Sequence, residues 1–184
     1  PAVFFERSLV RRSLQVGTDL HDVFYGDAYR ILFFGNFALP STLVVERELF
    51  LESGGFDEAF RLAEETEFVH RLAAVAPVAV VSSPLVRWRV GDHDSLVSPG
   101  NIEPLIRNAL QSLERASKLR ALDAADREAY EEGRSRLWLH LAFVQVSCYA
   151  SRSARGTLEM ARRETGLSSR WIALRALAML PSWA

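Results

Sequence analysis

A mixed α/β segment followed by an all-helical one is the fold class that this 184-residue sequence predicts. Three observations predict it. Six of the seven prolines lie at or before Pro104, and most of the glycines share that region, so the first part reads as short elements joined by loops. Apolar runs of strand length occur there, whereas beyond position 101 apolar residues recur at helical spacing. Charge divides at the same border: residues 1–100 hold 9 basic and 14 acidic side chains, and residues 101–184 hold 13 and 9. The expected organisation is therefore 1–100 and 101–184.

The elements follow in order. Ile31 to Phe34 and Leu43 to Val45 are apolar runs bounded by Gly35, Asn36, Pro40 and Ser41, which predicts strands. Glu46 to Ser53 reads as a helix anchored by Leu49 and Phe50, ending at Gly54 and Gly55 in a left-handed cap. A second helix is expected from about Glu65 to Ala74, with Pro77 beyond its end. Val78 to Val81 and Leu85 to Val90 read as strands, the latter with Arg87 and Arg89 on one face. Ile102, Leu105, Ile106, Ala109, Leu110, Leu113 and Ala116 follow helical spacing. Asp123 is a suitable N-cap for a long helix reaching about Ser151. Two shorter helices are expected over about Ala154 to Thr165 and Ser169 to Leu180.

Composition narrows the function classes. With 49% hydrophobic and 24% charged residues, the chain is neither disordered, collagen-like nor a coiled-coil rod. A net charge of −1 gives no global pull towards nucleic acid, so no nucleic-acid partner is expected. The single Cys148 excludes an intramolecular disulfide and a multi-cysteine zinc cage. Pro1 opens the sequence and its first methionine is Met160, so a piece of a longer protein is expected. The most apolar stretch, Leu137 to Ala150, is too short to span a bilayer. The expected location is the cytoplasm, or the cytoplasmic face of the membrane as a peripheral protein.

The chemistry-bearing residues lie between Asn36 and Ser98. Asn36 precedes Pro40-Ser41-Thr42-Leu43-Val44-Val45; Arg47-Glu48-Leu49-Phe50 leads into Ser53-Gly54-Gly55-Phe56-Asp57-Glu58. Ala63-Glu64-Glu65-Thr66-Glu67-Phe68 with Arg71-Leu72-Ala73 comes next, then Pro84-Leu85-Val86-Arg87-Trp88-Arg89-Val90. In this order and spacing the pieces resemble the C-terminal half of the catalytic domain of family 2 glycosyltransferases, inverting enzymes with a GT-A fold. The resemblance covers about a third of the chain.

That resemblance implies a nucleotide-sugar donor, a sugar or lipid-linked acceptor, and transfer with inversion, in polysaccharide biosynthesis at the cell envelope. An acceptor hydroxyl is a poor nucleophile, so a carboxylate must take its proton during attack. The resemblance places that base at Glu65, with Glu64 beside it. Both stand at an expected helix N-terminus, where the dipole favours negative charge. The family usually has Asp where this chain has Glu65. Asn36, Asp57 and Glu58 are implied on the acceptor side, and Arg87 and Arg89 offer guanidinium forks for the donor diphosphate. His93 is implied as a metal ligand, although it stands later after Arg89 than the family's histidine.

The divalent Mg or Mn ion would be held mainly by the family's first half, with its nucleotide-binding strands and Asp-x-Asp. Residues 1–35 contain neither, and Asp92-His93-Asp94 falls too late to serve. A glycosyltransferase short of its donor half is the expectation; the alternative is a non-catalytic remnant that binds acceptor or partner. In the tail, Ser169 to Ala184 carries only Arg170 and Arg175 as charges beside Trp171, Ile172, Leu174, Leu177, Leu180 and Trp183. Packing against the rest is the default for such a helix; peripheral membrane contact through 169–184 is the sharper expectation.

Overall fold

The computed structural model describes residues 5, 6, 8–16, 19–87, 99–148, 151–166 and 169–179. Trp88, Arg89 and His93 lie outside them, as do residues 180–184. Among the described residues, three strands and seven α-helices form an α/β arrangement. Strands β1 (Val10–Val16), β2 (Asp19–Gly26) and β3 (Val78–Val81) make an antiparallel sheet in the order β1-β2-β3. Val16 faces Asp19 across the first pair, and Phe24 faces Val80 across the second.

The inward sheet face carries Phe24, Val78 and Val80. They pack with Phe5, Leu9, Ala28 and Ile31, the last two at the start of α1 (Tyr29–Leu32). This overturns the strand expected over Ile31 to Phe34. A fully buried run is apolar on every side whether it coils or extends, so periodicity cannot separate the two. Leu43 to Val45 is also no strand. A 3-10 turn covers Pro40–Thr42, and Leu43 is extended at φ −85° and ψ 132° without entering the sheet. Val44 is wholly exposed. Leu85 to Arg87, the described part of another expected strand, has no regular structure, so no strand places Arg87 there.

Helix α2 (Arg47–Glu52) ends where Gly54 and Gly55 turn at φ 79° and 66°, as the glycine pair predicts. A Cβ at Gly55 would meet the Phe50 ring at 3.0 Å. Arg71 fastens this turn to α3 (Glu64–Val75): it donates to the carbonyls of Ser53 and Gly55, and its Nε and Nη2 grip Glu67 at 2.8 Å. Phe50, Phe56 and Phe68 meet one another edge-on or tilted, and the Arg71 guanidinium lies 5.4 Å from the Phe68 ring centre.

Helices α4 (Ile102–Ala116), α5 (Ala124–Ser147), α6 (Ser151–Thr165) and α7 (Ser169–Leu177) complete the chain. Asp123 caps α5, accepting from the Asp126 amide at 2.7 Å. One core is shared across the border at residue 101: Tyr29, Leu32, Phe33, Val69 and Ala73 pack with Leu113, Ala116 and Ala129. Polar links cross it too. Tyr29 donates to the Ala116 carbonyl, and burial pushes its phenol up to about 12. Arg30 holds Asp123 and the buried Asp126, both at 2.8 Å. A second core joins α5, α6 and α7 through Leu139, Leu158, Trp171 and Leu174, and the Trp171 indole donates to the Leu158 carbonyl at 2.7 Å. Trp171 and Leu174 therefore face inward, while Ile172, Leu177 and Met179 are exposed. No described helix is long and apolar enough to cross a membrane.

His70 of α3 carries a pH signature. Burial against Phe33 pulls its imidazole below the ordinary 6.5, although Nδ1–H reaches the Thr66 carbonyl at 2.7 Å and Glu67 stands near. The unfolded chain therefore binds a proton that the folded chain refuses. His70 adds stability above about pH 6.5 and loses it as pH falls towards the lower folded value. Urea unfolding at pH 7.5 and 5.5 should show wild-type stability falling more on acidification than that of His70→Phe. Equal falls would refute it.

Candidate functional site

The site begins at a strained residue. Ala63 sits at φ 59° and ψ 26°, the one non-glycine with positive φ among the described residues. This left-handed turn starts α3 without a side-chain cap; the Ala63 carbonyl accepts from the amides of Thr66 and Glu67 at 3.1 and 3.3 Å. Asn108 of α4 reaches over to the Leu62 carbonyl at 2.8 Å and holds the approach. An alanine in this region carries about 1 kcal/mol of strain. Ala63→Gly should raise stability by about 0.5 kcal/mol, read as a higher denaturation midpoint. A lower midpoint would mean that the buried methyl matters more than the strain.

The turn delivers Glu65 to the wall of a cavity of about 470 Å³. Asn36 faces it from the loop after α1. Its Nδ2 lies 3.2 Å from Glu65 Oε1, 3.2 Å from Thr66 Oγ1 and 3.0 Å from the Ala38 carbonyl, while its Oδ1 accepts from the Ala38 amide at 2.9 Å. Thr66 Oγ1 also donates to Glu65 Oε1 at 3.2 Å. One carboxylate oxygen is thus held in place, and Oε2 has no protein partner among the described residues. That is the arrangement of an oriented acceptor of protons: one oxygen fixes the geometry and the other is available.

The remaining walls come from the helices beyond residue 101. Leu105, Ala109 and Leu113 of α4 and Leu137 of α5 form apolar surface, and Arg136 and His140 of α5 add polar groups. Sequence reasoning missed Arg136 and His140. Both stay exposed on α5, as ordinary solvated positions would, and only tertiary packing makes them part of the lining that Glu65 shares. A signal was present in Gly133, a glycine inside a helix with no turn to make.

The other expected site residues are placed elsewhere. Glu64 is half-buried at the start of α3 and does not line the cavity. Asp57 is held by the Ala59 amide at 2.9 Å and by Arg115 at 2.6 Å, which keep its carboxyl below the usual range. Asp57 and the exposed Glu58 lie outside the cavity lining, as does the exposed Arg87. Arg89 and His93 lie outside the described residues. Among the described residues no three His, Cys, Asp or Glu side chains are grouped to hold a metal ion. The Mg or Mn ion is expected mainly on the family's other half, and no step below passes through one.

No family model, no curated protein and no solved structure matches this chain. Its function is read from the motifs of its sequence together with the residues of the cavity.

Proposed function

We propose that this chain is the acceptor side of an inverting glycosyltransferase of GT-A, family 2 type. Glu65 is the base that deprotonates the acceptor hydroxyl. The observation that carries the reading is Glu65 itself. Its Oε1 is pinned by Asn36 and Thr66 and its Oε2 is uncommitted, on the wall of a cavity of about 470 Å³, a size suited to a small ligand.

In the reaction, the acceptor oxygen attacks the anomeric carbon of a nucleotide-sugar as its proton passes to Glu65 Oε2. The new glycosidic bond forms on the face opposite the departing nucleoside diphosphate, so the configuration inverts. Asn36 positions the base, since losing its amide would free the Glu65 side chain to rotate. Arg87 is the described candidate for the diphosphate and Arg89 its proposed companion, while His93 would be the ligand for the divalent metal. Donor binding belongs to nucleotide-binding strands that would accompany this chain in a complete catalytic domain. The test is sugar transfer by a polypeptide that joins this chain to such strands, wild type against Glu65→Gln.

A further inference from the structure

Two basic side chains share the cavity with Glu65. Arg136 and His140 stand four residues apart on α5, hence on one face of it, and both line the cavity. Arg136 is oriented by a single protein hydrogen bond, from Nη1 to the Phe34 carbonyl at 3.0 Å. Its other N–H groups have no protein partner among the described residues, and neither ring nitrogen of His140 has one.

Arg136 and Glu65 also remain apart: no guanidinium nitrogen comes within the 4.0 Å of an ion pair with the carboxylate. Arg136 and His140 are exposed to solvent, whereas Glu65 is half-buried. The Phe34 carbonyl holds one nitrogen of Arg136, and the guanidinium and the Glu65 carboxylate line the same cavity without pairing. A ligand that satisfies both ends carries an oxyanion at one end and a hydroxyl at the other. Leu105, Ala109, Leu113 and Leu137 supply the apolar surface on which the C–H face of a sugar ring can rest.

We infer that the cavity takes a sugar bearing a phosphate or carboxylate, with Arg136 and His140 holding the oxyanion while a ring hydroxyl meets Glu65. The inference rests on the acceptor reading of the cavity and gives that acceptor its chemical class. Arginine suits the task because its planar fork matches either oxyanion, and charge-assisted hydrogen bonds exceed neutral ones in strength.

Titration of the 184-residue chain with glucose 6-phosphate, glucuronate, glucose and inorganic phosphate tests it. At least one anionic sugar should bind about tenfold or more tightly than glucose. Its preference between phosphate and carboxylate identifies the oxyanion. Arg136→Met and His140→Ala should each remove most of that advantage. His140 bonds to no described protein group, so its variant reads the contact even if Arg136→Met disturbs the fold. Glucose binding as tightly as both anionic sugars would overturn the inference, and so would an advantage that survives in His140→Ala. Inorganic phosphate binding as tightly as glucose 6-phosphate would overturn it as well, because the sugar would then add nothing. Glu65→Gln should keep the anionic preference, so turnover surviving in that variant defeats the base assignment and leaves the binding result standing.

Discussion

On the proposed reading, Glu65→Gln should lower sugar transfer by about a hundred- to ten-thousand-fold, the range that a positioned general base supplies. The amide is nearly isosteric and keeps an oxygen for Asn36 Nδ2 and Thr66 Oγ1, so the local structure should survive. What it lacks is the lone pair of a carboxylate able to take a proton. The loss should therefore fall on kcat, with acceptor binding changed by no more than about twofold, as for a group that acts mainly in the transition state. Glu65→Asp sharpens the point. The resemblance makes Asp the usual residue, yet here the shorter side chain draws back by about one methylene and leaves the bracket of Asn36 and Thr66. A loss of about tenfold or more is expected for such a displacement. Steady-state kinetics check both variants. Undiminished turnover in Glu65→Gln removes the base assignment, and faster turnover in Glu65→Asp removes the role given to Asn36.

Gly133→Ala should destabilise the protein by about 3 kcal/mol. The sign opposes helix propensity, by which alanine in a helix interior gains about 1 kcal/mol over glycine. Packing decides. A Cβ on Gly133 would overlap the Phe33 carbonyl oxygen and lie 2.8 Å from its carbon, with Leu113 Cδ2 at 3.4 Å. Two of these atoms are backbone, so no side-chain rotation relieves the clash, and α5 must move by more than about 1 Å. Because Gly133 lines the cavity, that movement also pulls Arg136 from Phe34 and loosens the wall facing Glu65. Gly156 on α6 is the internal control. A Cβ there meets nothing within 4 Å, so Gly156→Ala should stabilise by about 1 kcal/mol. Calorimetry reads the pair: a drop of roughly 10 °C for the first and a small rise for the second. Two variants that move together would mean that α5 and α1 approach less closely than described.

Helices α2 to α7 were legible because their signals are local, whereas the buried run of α1 read as a strand. Asp123 before α5, the glycine pair after α2 and the apolar spacing of α4 each act within a few residues. The β1–β2 hairpin was not, because Arg11, Arg12, His21 and Asp22 break the apolar alternation, β1 being exposed throughout and β2 largely half-buried. Two runs of strand length around Gly17-Thr18 were the available signal. Asn36 and Glu65 could be found because each sits in a local motif. Arg136 could not, since its place depends on Gly133 meeting Phe33, a pairing a hundred residues apart in the sequence.

The border-crossing links impose an order on assembly. Tyr29 reaches the Ala116 carbonyl, Arg30 reaches Asp123, and Arg136 reaches the Phe34 carbonyl, spanning 87 to 102 residues. During synthesis, at about 5–20 residues per second, α1 emerges several seconds before the helix that covers it. Through that interval Leu32 and Phe33 have the cover of Val69 and Ala73 but not that of Leu113, Ala116 and Ala129. The cavity is among the last features to exist, closing only when α5 leaves the ribosome.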